Sequence, residues 1–380
     1  MHEAATGRVL NREIFMLVVL AFFAIGVFVF TKSMATKEQQ MDARIAAIWY
    51  KDGQRQFNSG QVDKAIDSFR RARTRSLGDR VYTLALANAL AAGGHDAEAQ
   101  QSLLRLRESD PEDAEINSQL GRLAAKRGQV QDAVHYYKNA LYGRWAGPQV
   151  DERKLHLRME LIRLLLRQQE RNSALSELLL LEADLSQSAA DHVETARLFL
   201  QAGDAQHALS SYDEAIRLDK NNVEAFTEAG ETLFHLRDYL RAERYLEAAL
   251  ELNPGAEKIR HLLFLAKMVV SGDPLESHIS KQEGWERLLR AFKHASHRLN
   301  DCLRQTTDSQ KRTQLGALKQ QALALESELR SSRAPDSELT KSGVDLIYAI
   351  EKETSGVGET SDGFDQALLL IGQKHGGVQP

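Results

Sequence analysis

An all-α repeat solenoid is the fold class this sequence predicts, and three observations predict it. An alanine returns in step at Ala65, Ala99, Ala133, Ala174, Ala208 and Ala242, with gaps of 34, 34, 41, 34 and 34 residues. Twelve positions before each of these stands Gly53, Ala87, Gly121, Ile162, Ala196 or Gly230, mostly too small to keep two helices apart. Apolar residues in between fall at helical spacing, as in Leu233, Phe234, Tyr245, Leu246, Ala249 and Leu250, and no run alternates as a strand would. A fixed period of this length is the mark of a stacked array, in which each unit buries its apolar face on the next.

The elements follow in chain order. Residues 1–13 read as a short tail. Ile14 to Phe30 is seventeen residues without a charge, reaching roughly 26 Å as a helix, just enough for a hydrocarbon core. A cleaved signal peptide is the rival, with Ser33 and Ala35 flanking a cut. Its apolar stretch is usually only ~7–15 residues, so 14–31 reads as an uncleaved transmembrane helix. Arg8 and Arg12 precede it, and Lys32, Lys37 and Arg44 follow. This near balance leaves the charge rule almost silent, and the reading places the repeats outside the cytoplasm, with a cytosol-facing array as the alternative. Val27 to Asp52 holds neither Gly nor Pro, so 32–45 reads as a helical stalk.

Three units start at Ala46, Arg80 and Ala114 (46–147), and three more at Leu155, Ala189 and Val223 (155–256), with an insertion at 148–154 between the sets. The fifteenth residue of four units is Gly (Gly60, Gly94, Gly128, Gly203), suited to a turn at positive φ. Residues 257–271 read as a closing helix, which the open end of an array requires. Trp285, Leu288, Phe292, Ala295, Leu299 and Cys302, then Leu315, Leu318, Ala322, Leu325 and Leu329, form two heptad-like stripes and predict a helical hairpin over 281–331. The tail 332–380 reads as partly ordered, with a helix near 336–354, a Gly/Ser/acid linker, and a short apolar helix at Phe364–Ile371.

These units resemble the tetratricopeptide repeat family. VEAFTEAGETLFHLRDYLRAERYLEAALELNP nearly spells the family pattern, with Phe226 where Trp is usual; the first unit keeps that Trp as Trp49, and Pro111 and Pro254 fall where the second helix ends. The resemblance covers 46–256 and is weakest over 155–188, where Ile162 and Gln169 depart from the small residue and the turn Gly. It implies that the first helix of each unit lines an inner groove that takes protein or peptide partners. The ninth and thirteenth positions then set Asn88, Arg122, Lys126, Arg163, Arg167 and Arg197 in that groove, with Phe57, Leu166, Leu200 and Phe234 as apolar neighbours. A row of guanidinium forks suits an acidic peptide or a chain terminus. The alternative is that acids elsewhere in the groove pair with them.

Other chemistries find little support. The net charge of −4 gives no global pull toward nucleic acid, and Cys302 is the only cysteine, so no disulfide framework or Cys-rich zinc site is built. Nucleophile-elbow, P-loop, HExxH and EF-hand motifs are missing, so the chain reads as a non-enzyme without a cofactor. His294, His297 and Cys302 with Asp301 form the only constellation worth weighing for a metal, and it is short of converging ligands. Arg70 to Arg75 reads as a solvated helix end, or as a contact for anionic lipid. The resemblance together with the anchor implies an adaptor at a bacterial inner membrane with its repeats in the periplasm, serving envelope assembly, secretion or chaperoning.

Overall fold

The computed structural model describes residues 3–76, 78–185, 187–331, 336–355 and 363–376, all helix, turn or coil apart from one isolated bridge between Asp113 and Arg144. The helices fall into two compact units, Met1–Glu170 and Arg171–Pro380.

The first unit holds α1 (Glu3–Asn58), α2 (Val62–Arg75), α3 (Arg80–Ala92), α4 (Asp96–Ser109), α5 (Ala114–Lys126), α6 (Val130–Tyr142) and α7 (Val150–Arg167). Each antiparallel pair closes where a small residue meets a large one. A Cβ added at Gly53 would lie 2.7 Å from the Phe69 ring, and one at Gly121 would lie 2.8 Å from Tyr137. The recurring Ala65, Ala99 and Ala133 are fully buried. Ile66, Phe69, Leu86, Leu90 and Leu123 join Ala65 and Ala99 in one core that crosses three repeats. Asp79 and Asp113 cap α3 and α5 by accepting from the amides of Val81 and Ile116, at 2.8 and 3.0 Å.

The turns keep one conformation whatever residue fills them. Gly60, Gly94 and Gly128 adopt φ of 76°, 80° and 73°, and Gln169 adopts 62° at the equivalent place. Stacking of the helices imposes the left-handed turn there, although a non-Gly residue is strained in it.

α1 runs without a break from Glu3 into the first repeat. Leu20, Phe22, Phe23, Phe28 and Phe30 on it are exposed. Among the described residues, no helix is long and apolar enough to cross a membrane. The side chains of residues 3–19, Ala21 and Ala24, on which part of the expected span 14–31 depends, lie outside the described residues. Of the expected insertion at 148–154, residues 150–154 are helical and lengthen α7 to 18 residues. The preceding chain folds back on α5: the Ala114 amide donates to the Arg144 carbonyl at 3.1 Å, and the Arg144 amide to that of Glu112 at 2.8 Å.

The second unit holds α8 (Arg171–Asp184), α9 (Ala189–Ala202), α10 (Ala205–Leu218), α11 (Val223–His235), α12 (Tyr239–Leu252), α13 (Glu257–Gly272), α14 (Lys281–Gln305), α15 (Ser309–Ser331), α16 (Ser337–Thr354) and α17 (Gly363–His375). The repeat geometry recurs: a Cβ at Gly230 would lie 2.7 Å from Leu246, and φ is 88° at Gly203 and 65° at Arg237. α14 and α15 form the expected pair, but α16 packs on both and buries Val344, Ile347 and Ile350. A heptad stripe shows that a face is covered, not by how many helices, so the sequence revealed the hairpin and missed its third member.

α17 rests on α13 and α16 and buries Ala367, Leu368 and Ile371. It is clamped at both ends. Asp365 bonds His294 at 2.6 Å and pairs with Arg298. Lys374 reaches Asp273 at 2.9 Å and Glu276 at 2.8 Å, and His375 reaches Asp273 at 2.8 Å. The linker residues 356–362 and the tail 377–380 lie outside the described residues.

Burial alone would raise the pKa of Asp273, but the bonds from His375, Lys374 and the Leu275 amide outweigh it and hold the carboxyl below its ordinary 3.8. A depressed carboxyl contributes stability above its unfolded pKa and loses it as pH falls through the lower folded value. Protection of the α17 amides, taken relative to their intrinsic exchange rates, should therefore fall as pH drops below about 3.8. In Asp273→Asn the exchange should be fast already at neutral pH and show no such step; a step of unchanged size would remove Asp273 from the account.

Candidate peptide-binding cleft

In the first unit, the first helices and the folded-back chain form a cleft of about 570 Å³, lined by Tyr50, Arg80, Val81, Leu84, Asn88, Glu115, Ala146, Gly147 and Arg153 among others. Tyr50, Leu84 and Asn88 come from α1 and α3, at the fifth and ninth positions of their units. The wall at Ala146 and Gly147 exists because the chain after α6 is pinned. Trp145 Nε1 donates to the Ala140 carbonyl at 2.9 Å, the Arg153 guanidinium stacks 4.9 Å over the Trp145 ring, and Arg153 also donates to the Ala146 carbonyl.

Three buried polar atoms at this cleft, Asn88 Oδ1, Arg80 Nε and Arg153 Nε, have no hydrogen-bond partner among the described residues. Buried polar groups left this way are costly, so they favour a ligand or solvent that satisfies them. Around the rim Arg80 pairs with Asp113, Arg153 with Glu115 at 3.5 Å, and Arg144 with Asp110 and with Glu112 at 3.6 Å, so three guanidiniums and their carboxylates ring the opening. Apolar lining with convergent polar groups is the usual make-up of a binding site.

Most of the arginines read from the sequence do other work. Arg122 forks onto Glu160 of α7, Nε to Oε2 at 2.9 Å and Nη2 to Oε1 at 3.1 Å, and Tyr137 donates to the same carboxylate at 3.3 Å. The arrangement repeats in the second unit. Arg197 donates from Nε to Glu228 at 2.9 Å, Tyr212 donates to Glu228 at 2.8 Å, and Glu224 is a further partner of Arg197. Each set ties one repeat to the next. Burial, and then the neighbouring glutamate, push the Tyr137 and Tyr212 hydroxyls well above the usual phenol range, so both remain protonated donors at any physiological pH. Burial disfavours the Arg122 cation, but its bond to Glu160 more than compensates.

Lys126 likewise bonds Asp96 at 2.8 Å and the Ala91 carbonyl at 3.1 Å. Arg163 is half-buried and Arg167 exposed, both in the first unit, whereas Arg197 lies in the second. Leu166 and Leu200 are half-buried, while Phe57 packs against the core and Phe234 is 9% exposed with its ring on Tyr239. The last two are thus packed against neighbouring side chains of their own repeats. Of the predicted site, Asn88 alone lines the cleft, which sequence reasoning otherwise missed because its wall is made by an insertion.

The weighed metal constellation is not brought together. His297 pairs with Asp301 at 3.0 Å on the surface, Cys302 is buried, and His294 turns to Asp365. His294, Glu351 and Asp365 do offer ligand atoms within 4.8 Å of one another. Arg298 pairs with both carboxylates there and already supplies positive charge. In the basic run, Arg70 pairs with Glu98, Arg71 stacks on Trp49 and Arg75 pairs with Asp42, so these cations are engaged by the protein's own surface.

Residues 84–149 and 193–257 match a family model described as tetratricopeptide repeat. No curated protein matches the chain. Among solved structures, YrrB, described as a TPR protein with an unusual peptide-binding site, is 18% identical over 51% of this chain and 96% of its own, with a TM-score of 0.40. PilF of Pseudomonas aeruginosa is 15% identical over 58% of this chain and 96% of its own, with a TM-score of 0.42. PilW, described as a type IV pilus biogenesis factor, is 18% identical over 58% and 98%, also at 0.42. Over the matched segments, the helix pairs with their 34-residue period, small-residue crossings and left-handed turns are tetratricopeptide repeats.

Proposed function

We propose that the protein is a membrane-anchored scaffold that holds an extended, acidic peptide segment of another protein in the cleft of its first unit. The observation that carries this reading is the cleft itself, with unpaired Asn88, Arg80 and Arg153 atoms inside a ring of three guanidiniums. Carboxylates of a peptide accept from guanidinium forks, and its main chain satisfies an amide such as Asn88. The anchor is supported by the charge-free run Ile14–Phe30 and by the unbroken α1, which joins that run to the first repeat. A periplasmic array at a bacterial inner membrane, with a part in envelope assembly, secretion or chaperoning, is the setting we favour.

Asn88→Leu in the full chain tests the cleft. Leucine fills the space and offers no hydrogen bond, so affinity for acidic peptides should fall at least about tenfold, the 1.4 kcal/mol of one lost hydrogen bond. Cooperative melting should remain. Unchanged peptide binding by Asn88→Leu would end the proposal. Resistance to alkaline carbonate extraction tests the anchor separately.

A further inference from the structure

The second unit carries a cleft of another kind, between α8, the start of α9 and α10. Its volume is about 560 Å³, and it is lined by Glu182, His192, Ser211, Asp213, Glu214 and Arg217 with their neighbours. These helices bring to it the fourth residue of a repeat and residues of successive second helices, and neither kind of position lines the first unit's cleft.

Two of its groups are both deeply buried and unsatisfied. His192 is 9% exposed and Ser211 is 2% exposed. His192 Nδ1 and Ser211 Oγ have no hydrogen-bond partner among the described residues. Replacing either by an apolar group of similar shape would remove that penalty, so their presence needs a reason. The charges around them are unbalanced. Glu214 is taken by Arg217 at 2.5 Å and Asp213 accepts from the Tyr245 hydroxyl, while Glu182 makes no ion pair among the described residues. Three carboxylates against one guanidinium leave the cleft two charges negative when His192 is neutral.

We infer that this cleft binds an alkylammonium group, the positively charged end of an aliphatic amine. A primary ammonium brings three donors and no acceptor. The unpaired groups here are acceptors of that kind: an imidazole nitrogen in the Nε2–H tautomer, a hydroxyl oxygen and a carboxylate. The three acids and the imidazole do not gather for a metal, since among the described residues only His294, Glu351 and Asp365 form a set of three such groups with ligand atoms within 4.8 Å of one another. An alkyl chain fills the remaining volume, beside Leu185. The same chemistry is carried by a lysine side chain of a polypeptide and by a free polyamine.

The test is calorimetric titration of the purified full chain, in detergent, with spermidine and with Nα-acetyl-lysine methylamide, and with n-butanol as the uncharged control. Both Glu182→Gln and Ser211→Ala are used, because neither side chain is bonded elsewhere among the described residues and both variants should melt like the parent. The inference predicts saturable binding of at least one amine, no binding of the alcohol, and a loss of about tenfold or more in affinity for each variant. Binding of the acetyl-lysine amide identifies a polypeptide side chain as the source, and binding of spermidine alone identifies a free polyamine. Either result upholds the site. No saturable binding of either amine, or variants that bind as well as the parent, would overturn it and show that only water satisfies His192 and Ser211.

Discussion

Tyr212→Ala should remove about 3–5 kcal/mol of unfolding free energy, the loss expected for a large side chain deleted from a close-packed core. Tyr212 is fully buried, and its ring fills the twenty-fourth position of its repeat, where the second helix meets the small residue of the first. Its hydroxyl adds a separate contribution through Glu228, which it shares with Arg197. Tyr212→Phe keeps the ring and removes only the bond, so it should cost about 1–2 kcal/mol. Urea unfolding of both variants separates packing from the tie. A cycle with Glu228→Leu should show coupling, because both changes remove the same contact. If Tyr212→Phe were neutral, the repeated tyrosine–glutamate–arginine set would be a surface coincidence and not a tie between repeats.

The second large effect is expected at the crossings. Gly230→Val should destabilise by at least about 2 kcal/mol, even though glycine inside a helix is itself unfavourable by about 1 kcal/mol relative to alanine. A Cβ there would lie 2.8 Å from Leu246 Cγ and 3.2 Å from the Leu246 backbone nitrogen. The side chain can move, but the backbone can only separate the helices, and overpacking therefore outweighs the gain in helix propensity. Thermal melts of Gly230→Ala and Gly230→Val should both fall below the parent, valine further. A rise for the alanine variant would mean that α11 and α12 part without resistance.

The parts of the fold that repeat were legible because one physical demand recurs at one place. Two helices touching at Gly53, Gly121 and Gly230 need a residue without bulk, and the same spacing carries the buried alanines. Where glycine is missing the pattern spoke less clearly: Gln169 read as a departure and Arg237 carried no signal, yet both adopt the left-handed turn of the other units. Contacts made once left no pattern. The clamp of Asp365 on His294 spans 71 residues, and the cleft wall depends on where the chain after α6 folds back.

The groove arginines fall between these cases. Their alignment was visible, and it suggested a free basic row. The acids that take up Arg122 and Arg197 stand at the sixth position of the following repeat, 38 residues on in one case and 31 in the other. The seven-residue difference is the insertion, which hides the equivalence in a plain scan of the sequence. A tyrosine at the twenty-fourth position of the same repeat, as at Tyr137 and Tyr212, was the available signal that such an arginine is tied.

Site-specific photo-crosslinking in intact membranes tests the central claim most directly. A photoreactive residue replaces Val81, which is 47% exposed at the lip of the first unit's cleft, and in a second protein replaces Arg105, exposed on the second helix α4. The account predicts an adduct with an acidic segment of another protein from position 81, lost when Asn88→Leu is added, and none from position 105. An adduct from position 105 alone, or one from position 81 that Asn88→Leu leaves unchanged, would contradict it.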